Sequence, residues 1–265
     1  MCADGMPRCR RARARGPDMR LTIVGSGDAF GSGGRFNTCF HLAAGEHRVL
    51  IDCGATTHTA LRVCGIDPNA IDAVIVSHLH GDHFGGIPFL MIDGQYLSRR
   101  ERPLLFAGPP GTTERINAAL EVFFAGSSKT KYRFPWSVVE IPVGTPTEVL
   151  GLNVTSAEVI HFSGAPSTAL RIGDGGKIFA YSGDTQWTDA LLPIASGADL
   201  FMVECYEYER ELTGHMNWKT IERRLADFNA RRVMLTHMNH TMLARVDEAR
   251  ASGVLVAEDG LVLDL

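Results

Sequence analysis

The sequence predicts an α/β protein built in layers, and three observations lead there. Short apolar runs separated by glycine-rich turns fill the first part of the chain, so strands come first. Later, apolar runs near residues 177–182, 199–204 and 232–237 alternate with stretches of helical character near 187–196, 218–228 and 241–251. Strand runs followed by strand–helix alternation imply sheets inside and helices outside. The third observation is chemical: histidines and acids stand just past the ends of the apolar runs, where a strand hands over to a loop.

Taken in order, Leu21-Thr22-Ile23-Val24 reads as the first strand, and residues 25–34 follow as a glycine-rich loop. Its glycine spacing matches neither nucleotide-binding fingerprint, so a tight turn passing under an active site is favoured over a phosphate cradle. Residues 38–42 and 48–52 alternate around Ala44-Gly45-Glu46 and predict a hairpin. Asp52 closes its second strand, as either a cap or a group orienting a metal ligand. Residues 56–64 are helical in character, and Ala73-Val74-Ile75-Val76 is a strand that runs into Ser77-His78-Leu79-His80-Gly81-Asp82-His83. A helix starts around Phe84–Leu90, with Pro88 tolerable in its first turn. A strand is expected over 103–106, a helix over 112–125, and further strands near 138–142, 152–161 and 168–172. The stretch 126–136 interleaves basic and aromatic residues; it reads as a loop or subunit contact, with contact to an anionic substrate as the other option.

With 265 residues, 45% apolar and 21% charged, the chain can bury a large core, and residues 19–265 are expected to form a single domain. Residues 1–18 differ in kind. Arg8, Arg10, Arg11, Arg13 and Arg15 crowd a stretch with no apolar periodicity, which reads as a disordered basic leader, not a secretory signal. A net charge of −4 argues against holding nucleic acid by bulk charge. The six cysteines form no CxxC pair, so they read as reduced thiols of a cytoplasmic protein. No window is apolar for long enough to span a bilayer.

Three histidines and an aspartate within residues 78–83 are more than a folding core needs, and imidazole and carboxylate are the donors that suit zinc and neighbouring divalent metals. His161, Asp184 and His237 lie at or beyond three further expected strand ends. Seven such residues are too many for one zinc and suit two, with Asp184 able to bridge cations about 3.5–4 Å apart. A metal-bridging hydroxide would then be the nucleophile, and both cations would hold the oxygens of a phosphoryl or carbonyl centre.

The SHLHGDH stretch, the isolated His161, the SGDT stretch at 182–185 and the LTH stretch at 235–237 resemble, in that order, the motifs of the metallo-β-lactamase superfamily. The resemblance covers residues 19–265 and implies a four-layer αβ/βα sandwich with its site at the shared edge of two sheets. It further implies that His78, His80 and His161 hold one metal, that Asp82, His83 and His237 hold the other, and that Asp184 lies between them. The metals would be two divalent ions, zinc first, with Mn²⁺ or Fe²⁺ as alternatives. Asp82 counts both as a ligand and among the catalytic groups.

The nearest branch resembles ribonuclease Z and related phosphodiesterases. Glu204 matches that branch's glutamate and His215 its additional histidine, which implies a general acid for the leaving oxygen held by a carboxylate. Two features depart from ribonuclease Z. Only 22 residues separate His161 from Asp184, too few for the long tRNA-binding arm, and Met238-Asn239-His240 replaces an arginine–tyrosine pair. The expected substrate is therefore a small phosphodiester or an oligonucleotide, with carboxylic ester, thioester or lactone hydrolysis as the alternative. The resemblance also implies a homodimer.

Overall fold

The computed structural model describes residues 19–265; the leader expected over residues 1–18 lies outside them. The strands in chain order are β1 (Met19–Gly25), β2 (Cys39–Ala44), β3 (His47–Ile51), β4 (Ala73–Ile75), β5 (Leu104–Gly108), β6 (Trp136–Glu140), β7 (Thr147–Val149), β8 (Leu152–Glu158), β9 (Thr168–Gly173), β10 (Ile178–Tyr181), β11 (Leu200–Glu204), β12 (Val233–Thr236), β13 (Leu255–Val256) and β14 (Val262–Asp264). The helices are α1 (Thr57–Val63), α2 (Gly81–Phe84), α3 (Ile87–Ile92), α4 (Thr112–Phe123), α5 (Leu191–Ala195), α6 (Trp218–Arg224), α7 (His240–Leu243) and α8 (Val246–Ala251).

The strands form two seven-stranded sheets, ordered β14-β1-β2-β3-β4-β5-β6 and β13-β12-β11-β10-β9-β8-β7. Each sheet pairs antiparallel on one side and parallel on the other: β3, β4, β5 and β6 run parallel, as do β10, β11, β12 and β13. Side chains alternate across a strand, so each strand feeds two cores. In β4, Ala73 and Ile75 face the space between the sheets while Val74 faces the helices on the outer side. In β11, Leu200 and Met202 face inward, and Phe201 and Val203 pack outward. Strands buried on both faces read as continuous apolar runs, which is why these were visible in the sequence. The result is helix, sheet, sheet, helix, the αβ/βα sandwich.

Several elements differ from expectation for local reasons. The helix expected over 187–196 shrinks to α5, because Gln186 still pairs with Ile160 and the turn through Trp187–Ala190 precedes the helix. The helix expected over 218–228 tightens into a 3₁₀ turn after Arg224 and stops at Asn229 in left-handed backbone, φ 48°. The one expected over 241–251 breaks into α7 and α8. The strand expected over 152–161 ends at Glu158, which leaves His161 on a loop. Strands β7, β13 and β14 span three, two and three residues, too short to carry a period. Within 126–136 the aromatic half turns inward: Phe134 is buried and the Tyr132 hydroxyl donates to the Ser127 carbonyl. Those rings are not free to stack on a ligand.

Candidate metal centre

The parallel strands end at one edge of the sandwich, and their following loops converge there. After β4, Val76 to His80 cross the edge into α2, a single turn that carries Asp82 and His83. Asp184 follows β10, Glu204 ends β11, and His237 follows β12. His161 reaches the same edge from the loop after β8. Two of these loops press tightly together. A Cβ on Gly54 would lie 2.1 Å from the Asp82 carbonyl oxygen, so only glycine lets the chain after β3 pass under α2.

The donor atoms fall into two groups that meet at Asp184. In the first, of His78, His80 and His161, donor atoms lie within 4.8 Å of one another, with His161 Nε2 and His80 Nδ1 2.9 Å apart. In the second, of Asp82, His83, Asp184 and His237, His83 Nε2 lies 3.3 Å from Asp82 Oδ2 and 3.2 Å from Asp184 Oδ2. His237 Nε2 lies 3.1 and 3.4 Å from the same two oxygens. Asp184 Oδ2 also faces His78 Nε2 at 3.8 Å. All seven residues singled out in the sequence are thus brought together.

Whether these residues fit a cation is decided by their hydrogen bonds. The Ser77 hydroxyl spends its one proton on Asp52 Oδ2 at 2.8 Å, so at its 3.1 Å contact with His78 it accepts from Nδ1–H. That fixes the His78 tautomer and leaves a lone pair on Nε2, which is wholly buried and without a hydrogen-bond partner. His83 Nδ1–H donates to Asp52 Oδ2 at 2.7 Å and His161 Nδ1–H to the Gly214 carbonyl at 2.8 Å, which aims both Nε2 atoms at the centre in the same way. Asp184 Oδ1 is a second buried orphan. Buried polar atoms rarely go unpaired, and lone pairs converging from imidazole and carboxylate suit divalent cations. The residues fit.

The charges on the ligand-type rings are unequal. Burial alone would depress His83, but Asp184, Asp82 and Asp52 outweigh it and hold that imidazole well above its ordinary range, so a cation binding there has to displace a proton. Burial would raise Asp184, yet His237 and His83 hold it well below the usual carboxylate range. His78, buried and beside His83, is pushed well down and is neutral, as a ligand must be.

His215 stands at the rim of this cluster, its Nδ1 3.2 and 3.3 Å from the two Glu204 oxygens. Burial works against its charge, but Glu204 prevails and lifts it to about 9, so the ring is an imidazolium at neutral pH. Complete burial in turn pushes the Glu204 carboxyl up, against the pull of His215. A nitrogen of His215 also lies within 4.8 Å of donor atoms of His161 and Asp184, which puts a proton donor beside the cluster. Hollows of about 480 and 640 Å³ flank it, the first lined by His215, Gln186 and Thr213, the second by His161, Phe162 and Thr213. A larger one of about 1030 Å³ lies at the opposite end of the sandwich, by the turns at Gly45, Gly151 and Gly175; its Arg48 guanidinium is spent on the Gly45 and His47 carbonyls.

Of the two readings of Asp52, its hydrogen bonds to Ser77 and His83 fit the one in which it orients a neighbouring imidazole. Other contributors carried no sequence signal of their own. Tyr206 stacks on His215 with ring centroids 4.8 Å apart, and Gln186 holds the Gly214 N–H. Ser77 and Thr185 sat inside the quoted motifs without an assigned part. His240 is exposed at the start of α7.

Known proteins share this frame. The chain is 26% identical over 231 residues to the probable metallo-hydrolase YhfI of Bacillus subtilis (strain 168), covering 84% of this chain and 88% of that one. The crystal structure of that metallo-β-lactamase fold protein matches with a TM-score of 0.75 at 24% identity, over 92% of this chain and 99% of the other. Ribonuclease Z of Mycobacterium sp. (strain KMS) is 28% identical over 191 residues, 68% of this chain and 66% of its own. Anti-Pycsar protein Apyc1 of Paenibacillus sp. (strain J14) is 31% identical over 191 residues, 66% of this chain and 70% of its own. Among the described residues, no helix is long and apolar enough to cross a membrane. The fold is that of the metallo-β-lactamases, in the ribonuclease Z and phosphodiesterase branch, and the protein is a metallo-hydrolase. The sequence model of the family described as Anti-Pycsar protein Apyc1 matches residues 19–259, and the chain belongs to that family.

Proposed function

We propose that this protein is a binuclear metal-dependent phosphodiesterase acting on a small phosphodiester or an oligonucleotide. His78, His80 and His161 would hold one divalent cation and Asp82, His83 and His237 the other, with Asp184 between them; zinc fits imidazole and carboxylate first, with Mn²⁺ or Fe²⁺ as alternatives. When bound, the cations supply Lewis acidity and make water a nucleophile near neutral pH. Asp52 and Ser77 keep His83 and His78 in the ligating tautomer. His215 gives its proton to the departing oxygen, and Glu204 keeps the ring charged and aimed.

The observation that carries the reading is the His215–Glu204 pair at 3.2 Å beside the donor cluster. A phosphodiester expels an alkoxide, a poor leaving group whose departure that proton assists, whereas a thioester expels a far more stable thiolate and needs it far less. The relatives named ribonuclease Z support the same chemistry. The protein is further read as a single-domain, homodimeric enzyme of a reducing, cytoplasmic setting, in keeping with the free thiols of Cys39, Cys53, Cys64 and Cys205; sedimentation measures the oligomer.

Bis(p-nitrophenyl) phosphate and an alkyl diester such as dithymidine monophosphate are assayed beside a lactone and thioester panel. Diester turnover is expected to dominate, and His215→Ala to lose about 10²–10⁴-fold on the alkyl diester. Dominant lactone turnover that ignores the substitution would sink the phosphodiesterase reading. Fewer than about two equivalents of zinc after reconstitution would sink the two-metal site.

A further inference from the structure

We propose that the turn at residues 212–215 is one fixture serving both halves of the site, and that Gln186 is the positioning residue that sets it. Gly214, at the centre of the turn, faces two ways. The Gly214 carbonyl accepts from His161 Nδ1–H at 2.8 Å, which keeps His161 Nε2 turned toward His80. Its N–H donates to Gln186 Oε1 at 3.2 Å. The next residue is His215, bound to Glu204.

Gln186 closes a ring of hydrogen bonds. Its own backbone N–H donates to the Ile160 carbonyl at 3.2 Å, one residue before His161. So the path runs from Ile160 through His161 to Gly214, across to the Gln186 side chain, and back through the Gln186 backbone to Ile160. Thr185, the preceding residue, adds a second tie. Its hydroxyl accepts from the Ile160 N–H and donates to the Gln186 carbonyl, while its N–H donates to Glu204 Oε1. Glu204 in turn holds His215. The ligand ring and the acid are therefore fastened to the same two residues of the loop after β10.

The turn has no slack of its own. Gly214 sits at φ +82°, and a Cβ there would lie 3.0 Å from His161 Nδ1. Binding at the His78/His80/His161 group and proton donation are thus coupled through one residue, Gly214, and Gln186 governs both without touching the reacting atoms. The outer partners of ligating histidines are worth about 10–100-fold in metal affinity, and a partner holding this one is expected to act on that scale.

The inference rests on the two-metal reading above. Zinc affinity is measured by competition with a chelating indicator for the full chain, for Gln186→Met, which keeps the length but loses the acceptor, and for Gln186→Glu, which restores it. Gln186→Asn, one methylene short of Gly214, serves if the methionine variant does not fold. The expected result for the variants lacking the contact is zinc binding weakened by about 10–100-fold at one site, with turnover of dithymidine monophosphate falling more than that of bis(p-nitrophenyl) phosphate. Gln186→Glu recovers zinc affinity. Wild-type affinity in a folded Gln186→Met overturns the proposal, as does a change in leaving-group preference with zinc binding untouched. A wild-type chain that binds no zinc overturns the two-metal reading and this inference with it; one that binds zinc, loses it in Gln186→Met and cleaves lactones in place of diesters overturns only the phosphodiesterase reading.

Discussion

Asp52 and His237 are both non-glycine residues in left-handed backbone, at φ 59° and 57°. Such a conformation costs about 1–3 kcal/mol and persists where the surroundings over-determine it. Here they do: the Asp52 carboxylate takes hydrogen bonds from the Ser77 N–H, the Ser77 hydroxyl and His83 Nδ1, and the His237 N–H donates to the Ser26 carbonyl. The strain is stored where donor atoms must converge. Asp52→Asn keeps the shape but removes the charge that holds His83 in the ligating tautomer. Zinc affinity measured by indicator competition is expected to fall about 10–100-fold at one site, and an unchanged affinity would show that the backbone alone positions His83. The ligand-type residues themselves were legible in the sequence because no core needs three histidines and an aspartate in six positions. Gln186 and Tyr206 were not legible, because a glutamine or tyrosine becomes part of a site only through the residue that the fold sets against it.

At the level of elements, the short α2 matters more than the long α4. It is one turn, held by its N-terminal link to β4 and by close passage of the chain after β3. The Cys53 N–H donates to the His83 carbonyl at 2.6 Å, and Gly54 leaves no room beneath Asp82. Gly54→Ala would set a methyl against backbone that cannot swing aside. A loss of about 1–3 kcal/mol is expected from denaturant unfolding, together with weaker zinc binding, because Asp82 and His83 move with the turn. Wild-type values in both would mean that the chain relaxes without disturbing the site. The elements buried on both faces were legible as apolar runs, and the hairpin by its alternation. Helix ends were not, because tertiary hydrogen bonds such as that of Gln186 to Ile160 compete with the helix for the same backbone groups. The interleaved basic and aromatic stretch at 126–136 was legible as a pattern, yet only packing decides that Phe134 turns inward.

For the molecule as a whole, acid stability has an identifiable contributor away from the metal centre. Burial, reinforced by Arg48, depresses His41 on β2 to about 4, whereas the unfolded chain titrates it near its ordinary value of 6.5. Between those values the unfolded state binds more protons, so stability is full above about pH 6.5 and is lost as the pH falls toward 4, by at most about 1.4 kcal/mol per unit. Thermal unfolding at pH 7 and at pH 4.5 is expected to differ less for His41→Gln than for the wild type, and an equal difference would remove His41 from the account. The same division runs through the whole protein. The apolar runs, their alternation and the ligand-type residues at their ends are local properties of the chain, and from them the sequence by itself determined a layered α/β fold and the set of ligand-type residues at its strand ends. Which of those residues share a cation cradle, which tautomer each imidazole takes, and which peptide ties His161 to His215 depend on atoms up to 155 positions apart. Only the tertiary structure decided them, because a hydrogen bond or a shared cation is set by distances of about 3 Å that no local pattern encodes.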